Sequence, residues 1–152
     1  MAYYQGKFKP KHPEKYKGDP TNIIYRSGWE LKLFTYLDSH KNVIKWASEE
    51  LFIPYVSPID NKYHRYFVDV YVEQINNEGK KEVLLIEVKP DAQTKPPNPQ
   101  NKLTAKGNIS RKYLYEVKTW GVNEAKWKAA REFCLDRGWK FVILTEKELF
   151  GK

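Results

Sequence analysis

The fold is decided by the stretch VLLIEVK at Val83–Lys89. This stretch predicts a buried β-strand, because it is short, rich in branched aliphatic residues and bounded by charged or turn-forming residues. Side chains alternate between the two faces of a strand, so Glu87 and Lys89 share one face. Burying a carboxylate and an ammonium group is unfavourable, and the pair at the end of a core strand therefore indicates a functional use.

A second acidic residue lies on a neighbouring predicted strand. Asp69 stands between the apolar runs YFV and VYV. Two carboxylates on adjacent strands can hold a divalent ion, which offsets the charge of a phosphodiester and activates water for its cleavage. On this hypothesis Asp69 and Glu87 are metal ligands, and the carbonyl oxygen of Val88 supplies a further ligand. Lys89 orients or deprotonates the attacking water, or stabilises the transition state electrostatically.

A third acid, Glu30, lies at the start of a predicted helix. Ser27 stands three residues before it, which is a capping-box spacing, and Glu30 begins a helical stripe with Leu33, Phe34 and Leu37. The stripe should face the core, so Glu30 could hold a second metal ion or its water. A purely capping glutamate explains the same pattern equally well, and one residue can serve both roles.

The Glu-x-Lys pattern is weak when taken alone. An exposed ion pair on an edge strand would produce it too, and such pairs are common and contribute little to stability. The ordered set of Glu30, Asp69, Glu87 and Lys89, followed at once by a basic loop, favours the catalytic interpretation.

Charge favours a nucleic acid as the partner. The 152 residues carry a formal net charge of +8 with a pI near 9.4, and residues 94–112 contain basic residues and no acid. Clustered lysines and arginines of this kind attract phosphates more than scattered ones do. The residues predicted to bind nucleic acid in this loop are Lys95, Lys102, Lys106, Arg111 and Lys112.

Several classes of protein and site are excluded by composition. The single Cys134 permits no internal disulfide and no cysteine metal cluster, and no apolar run approaches the roughly 20 residues of a membrane span. The three histidines form no helical His-x-x-x-His pair. A metal would therefore be held by carboxylates, which favours Mg²⁺, with Mn²⁺ as the alternative. No membrane partner is expected.

The order of elements predicts a mixed-sheet α/β fold. Residues 1–22 are basic and interrupted by prolines, which predicts an extended arm before a single domain at 23–152. Within that domain the pattern predicts a helix from Ser27, a three-strand antiparallel meander, further helices and a strand that joins in parallel. The predicted ranges after the first helix are strands at 43–56 (broken at 48–50), 63–75 and 82–89, a helix at 109–118, a fully buried strand at 141–144 and a helical turn at 146–150. A second helix is predicted from an N-cap at Asn123 through Arg137, with Gly138 ending it. Its buried stripe is predicted to be Trp127, Ala130 and Cys134, with Lys126 beside it on a solvated face.

The set Glu30, Asp69, Glu87 and Lys89 resembles the site of the PD-(D/E)XK nuclease superfamily. In that pattern a helical Glu precedes an Asp and then a Glu-x-Lys, on a core that runs helix, three-strand meander, helix and strand. The usual proline before the Asp is replaced here by Val68, which is no ligand in that pattern. The resemblance implies a restriction-endonuclease-like core and metal-dependent cleavage of double-stranded DNA.

Two branches of this superfamily are more closely similar. The segments YRSGWE at 25–30, IPY at 53–55 and FVD at 67–69 resemble transposon-end endonuclease subunits. Over essentially the whole chain, the sequence also resembles the nucleases that complete the heads of T-even-type tailed phages. That resemblance implies a virion protein that acts on packaged DNA before tail attachment, with the portal or head–tail connector as a partner.

Two other functions fit the same sequence. A non-catalytic module of a phage head could use this fold to grip DNA or the portal. A transposase-type endonuclease could use it within a larger complex. The complete acidic set with its lysine favours an active nuclease over the non-catalytic head module. The transposase-type endonuclease would be identified by its protein partners, which would be a recombinase and not capsid proteins.

Overall fold

A computed structural model describes residues 5–150 of the chain. The strands and helices, in chain order, are β1 (Gly6–Phe8), β2 (Ile23–Tyr25), α1 (Gly28–Ser39), β3 (Val43–Ser48), β4 (Phe52–Val56), β5 (Tyr63–Phe67), β6 (Val70–Ile75), β7 (Lys81–Val88), α2 (Arg111–Arg137), β8 (Lys140–Leu144) and α3 (Glu146–Leu149). Short 3₁₀ turns lie at Pro13–Lys15, Asp91–Thr94 and Pro99–Asn101. None of the helices in residues 5–150 is long and apolar enough to cross a membrane.

A four-stranded sheet in the order β3-β6-β7-β8 forms the centre of the molecule. The first three strands pair antiparallel, and β8 returns through α2 to lie parallel to β7. This arrangement confirms the predicted mixed sheet and α/β class. The prediction that the last strand is fully buried is wrong, since β8 is an edge strand whose residues are exposed or only half-buried.

Two predicted strand regions each divide between two sheets. The expected single strand at 63–75 is wrong, because β5 pairs with β4 in a separate hairpin while β6 joins the central sheet. Glu49 takes a left-handed backbone with φ of 53°, which ends β3 before β4 begins. Backbone bonds from Glu49 N–H to Asp69 O (3.1 Å) and from Val68 N–H to Leu51 O (3.1 Å) hold the corner. The corner between β5 and β6 therefore sets the position of Asp69.

The described part of the N-terminal segment packs on the core, which differs from the predicted extended arm. Tyr16 is 5% exposed, and its ring meets that of Trp46 edge-on at 4.9 Å. Phe8 packs edge-on against Phe34 and Trp46, and β1 pairs with β2. The aromatic residues between the lysines supply the apolar area for this packing. The Lys15 ammonium group donates hydrogen bonds to the backbone carbonyls of Asp38 and His40. Tyr3 and Tyr4, part of the same predicted arm, lie outside the described residues.

One continuous helix replaces the two helices predicted after the basic loop. α2 runs through Gly121 and Asn123, so the prediction of Asn123 as an N-cap is wrong. A glycine inside a helix is unfavourable by about 1 kcal/mol relative to alanine, which the buried face of this helix offsets. The predicted stripe of Trp127, Ala130 and Cys134 is buried, and Gly138 ends the helix in the left-handed conformation, both as expected.

Candidate active site

Glu87 and Lys89 lie at the end of β7, in the interior of the sheet. Glu87 is 6% exposed, and its Oε2 lies 3.4 Å from Lys89 Nζ. β7 is flanked by β6 and β8. The alternative of an exposed ion pair on an edge strand therefore does not describe this pair. The Glu87 carboxylate is held a second time, because Tyr66 donates its hydroxyl to Oε1 at 2.6 Å.

Asp69 lies beside Glu87 on the neighbouring strand. The register pairs Val70 with Ile86, so Asp69 and Glu87 occupy the next position outward. The backbone N–H of Val88 donates to Asp69 Oδ2 at 2.7 Å, which fixes this carboxylate against the end of β7. The structure therefore brings together the acids that the spacing of the two apolar runs predicted to be neighbours.

Glu30 approaches from the first turn of α1 and also caps that helix. Ser27 Oγ accepts from the Glu30 N–H at 3.1 Å, and Glu30 Oε1 accepts from the Arg26 N–H at 2.6 Å. Its side chain is 9% exposed, and Leu33 and Phe34 continue the buried face as predicted. Glu30 is close enough to raise the pKa of Asp69, as described next. The capping role of Glu30 is therefore observed, and its place in the catalytic set stays a prediction.

Burial disfavours the charged forms of Asp69 and Glu30, and neighbouring carboxylates add to this effect. Burial, then the Glu87 carboxylate and more weakly Glu30, raise the pKa of Asp69 to about 8, although the Val88 N–H and Lys89 act in the opposite direction. Burial also raises the pKa of Glu30, with a smaller contribution from Glu87. A cluster of buried acids facing one lysine has more negative than positive charge when ionised, and a bound cation would offset the excess.

The donor chemistry of this cluster fits a hard divalent cation. Asp69 and Glu87 present carboxylate oxygens from adjacent strands, and their mutual repulsion is what such an ion relieves. Within residues 5–150, no group of three or more His, Cys, Asp or Glu side chains is placed to hold a metal ion, so Asp69 and Glu87 would act as a pair. Mg²⁺ commonly binds through one or two carboxylates and takes its other ligands from water and phosphate, so an incomplete protein cage agrees with that ion.

Tyr66 contacts the acidic cluster, and Lys126 lies beside Tyr66; the sequence predicted neither contact. Tyr66 was counted only as part of an apolar run, yet a tyrosine on the buried face of a strand needs a polar partner for its hydroxyl, and that partner is Glu87. Lys126 was predicted to lie on a solvated helix face. It is half-buried, with its ammonium nitrogen 5.6 Å from the Tyr66 ring centroid and 5.9 Å from that of Tyr55.

The basic loop divides into two parts. Lys95 and Lys112 line a cleft of about 650 Å³ together with Lys89, between the turn after β7 and the first half of α2. Lys102, Lys106 and Arg111 are not among the residues that line this cleft, and the bridge between Leu103 and Ile109 closes a small turn that carries Lys106. All five predicted nucleic-acid-binding side chains, Lys95, Lys102, Lys106, Arg111 and Lys112, are exposed.

An acidic cluster with one lysine, on a mixed sheet and beside a basic cleft, defines the class of α/β endonuclease domains. The family model described as TnsA-like endonuclease N terminal matches residues 40–146. The head completion nuclease of Enterobacteria phage T4 is 41% identical over 147 residues, which cover 96% of this chain and 93% of the relative. The chain belongs to the TnsA-like endonuclease family. Both resemblances noted from the sequence are confirmed.

Proposed function

We propose that this protein is a metal-dependent DNA endonuclease that hydrolyses phosphodiester bonds. The observation that carries the proposal is the convergence of Asp69, Glu87 and Lys89 at the adjoining ends of two central strands. The family match supports endonuclease activity, and three members of the proposed catalytic set lie inside the matched residues. Glu30 joins the set from α1.

The proposed metal is Mg²⁺, or Mn²⁺ in its place, held by Asp69 and Glu87 with the Val88 carbonyl and Glu30 completing the site. The bound ion would supply positive charge to the phosphate and acidify the attacking water. Tyr66 keeps the Glu87 carboxylate oriented through its hydrogen bond. Lys89, which is 26% exposed, reaches the site from the solvent side and can orient the water or stabilise the developing negative charge.

The proposed substrate is double-stranded DNA, bound through its phosphates. The net charge of +8 and the five exposed cations of the 94–112 segment supply the attraction. These cations, Lys95, Lys102, Lys106, Arg111 and Lys112, follow β7 directly in the chain, so DNA held by them would lie close to the acidic site.

The proposed biological setting is completion of a phage head. The T4 relative is named a head completion nuclease, and the similarity extends over nearly the whole of both chains. We infer that the protein cuts packaged DNA before tail attachment, in the virion head or in the host cytoplasm during assembly. The portal or a head–tail connector is the proposed protein partner.

Plasmid nicking tests the activity. Purified protein should relax supercoiled DNA in Mg²⁺, and EDTA should stop the reaction. Asp69→Asn, Glu87→Gln and Lys89→Ala should each reduce the rate at least a hundredfold, because each removes a ligand or the charge that faces the phosphate. Glu82→Gln and Lys81→Ala, at the other end of the same strand, are the matched controls and should cut normally.

Two results would contradict the proposal. If Asp69→Asn cuts as fast as the wild type, the acidic cluster is not catalytic. If the wild type binds DNA but never cleaves it with Mg²⁺ or Mn²⁺, the protein is the non-catalytic head module that the sequence also permits.

A further inference from the structure

The cleft beside Lys89 is a second structural feature next to the acidic cluster. Its volume of about 650 Å³ lies within the range of small-molecule sites. One wall is a single face of α2, formed by Lys112, Tyr115, Glu116, Thr119, Trp120 and Asn123. The opposite wall comes from the turn after β7, with Lys89, Gln93 and Lys95. The cleft is therefore large enough for one nucleotide and begins where the proposed chemistry takes place.

Asn123 contributes a side-chain amide to the lining of this cleft. Its residue is 6% exposed, but within residues 5–150 the fully buried side-chain atoms without a hydrogen-bond partner are Trp46 Nε1 and Trp127 Nε1, so the Asn123 amide is not a buried unpaired group. An amide offers a donor and an acceptor side by side, which is the pattern that pairs with the edge of a base.

The remaining lining suits the other parts of a nucleotide. Tyr115 is 71% exposed, and Trp120 is anchored edge-on against Trp127 at a centroid distance of 6.0 Å. Aromatic faces of this kind stack with bases of any sequence. Lys89, Lys95 and Lys112 outnumber the one acid of the lining, Glu116, which leaves a net positive charge for phosphate.

We propose that this cleft binds one unpaired nucleotide of the strand that is cut, with the base on the α2 wall and Asn123 contacting its edge. The placement rests on the proposed nuclease function. A base inside a duplex is paired and stacked, and extracting it is unfavourable by a few kcal/mol. DNA with an unpaired nucleotide at the binding position, such as an overhang, a nick or a bubble, is therefore the preferred substrate class.

Binding without cleavage tests the cleft independently of the chemistry. In an Asp69→Asn background without metal, fluorescence anisotropy would compare a 30-base-pair duplex with the same duplex carrying a three-nucleotide bubble. We expect about tenfold tighter binding of the bubble, the size of effect that one stacked base gives. Tyr115→Ala and Asn123→Ala should remove most of that preference. Tyr63→Ala and Lys118→Ala, exposed and outside the cleft, are matched controls that should retain it.

The outcomes separate this inference from the proposed function. Equal affinity for duplex and bubble would overturn the nucleotide site, as would an unchanged preference in Tyr115→Ala, an exposed substitution that leaves the fold intact. If the wild type does not cut plasmid DNA but its preference for the bubble depends on Tyr115, the nuclease proposal is contradicted and the nucleotide site is supported. Circular dichroism of Asn123→Ala shows whether its loss of preference is accompanied by unfolding.

Discussion

Asp69 carries an electrostatic penalty that the folded chain alone does not offset. Its carboxylate accepts one backbone hydrogen bond, yet burial and Glu87 outweigh that bond and raise its pKa to about 8. A group whose pKa is higher in the folded than in the unfolded state binds more protons when folded. Its contribution to stability is thus complete below its usual value of 3.8 and is lost as the pH rises through about 8.

Asp69→Asn should therefore stabilise the metal-free protein at neutral and alkaline pH. The free energy of unfolding of the variant should exceed that of the wild type at pH 8, by at most about 5 kcal/mol, since an amide keeps the Val88 bond without the buried charge. The difference should shrink as the pH falls to 4. Urea denaturation in EDTA at several pH values measures it.

A matched aspartate tests the sign of this effect. Asp60 is exposed, and hydrogen bonds from the Lys62 N–H and from His64 lower its pKa, so Asp60→Asn should give no gain at high pH. Adding Mg²⁺ should reverse the order, because an ion that binds only the folded wild type stabilises it by mass action. If the free energy of unfolding changes with pH in the same way for Asp69→Asn and for the wild type, the electrostatic explanation is wrong.

At the level of elements, periodic patterns were predictable and corners were not. The apolar runs predicted the positions of β7 and β8, and helical spacing predicted the buried face of α1, because burial favours such patterns. The burial of β8 was overestimated, because β8 is an edge strand. The corner between β5 and β6 has no glycine or proline to signal it, since it is made by backbone bonds to the distant residues Glu49 and Leu51. α2 was divided in the prediction because Gly121 is a local signal that packing of the whole helix overrides.

The N-terminal segment is an element of the core, and Tyr16 provides its test. Tyr16→Ala should lower the free energy of unfolding by about 3–5 kcal/mol, since it removes a buried ring from the contact with Trp46. Tyr16→Phe should lose only about 1 kcal/mol, because the ring stays and the hydroxyl bonds to Ser48 and Glu50 go. Chemical denaturation measures both. Tyr63→Ala, at 78% exposed, is the control, and an equally small loss in Tyr16→Ala would show that the segment is dispensable.

At the scale of the whole molecule, the site forms where three separate parts of the fold meet. Glu30 comes from α1, Asp69 from the corner before β6, and Glu87 with Lys89 from β7. The acids were predictable because each interrupts an apolar pattern in which a charge is unfavourable. The cleft was not, because its α2 wall was assigned to two helices, and only their continuity places Asn123 opposite Lys89.

Charge is also distributed unevenly between the two ends of the central sheet. The acidic cluster lies at the end where β7 finishes, and the 94–112 segment follows that end in the chain, with Lys95 and Lys112 in the cleft beside Lys89. Lys41 precedes β3 and Lys80 lies in the turn between β6 and β7, at the opposite end. Only cations that touch phosphate release counterions when DNA binds, so salt dependence reports which end contacts the duplex.

Lys102→Ala combined with Lys106→Ala should reduce both DNA affinity and its salt dependence. Each lost phosphate contact lowers the slope of log K against log salt by about 1, so the double variant should lose about 2 from the wild-type slope. The pair Lys41→Ala and Lys80→Ala removes the same charge from the far end of the sheet, and its slope should equal that of the wild type. Anisotropy titrations of a 30-base-pair duplex from 50 to 200 mM salt measure all three proteins. If the two double variants lose equally, net charge alone governs binding and the 94–112 segment is no DNA-binding surface; if only the first loses slope, the duplex lies across the end of the sheet that holds the acids.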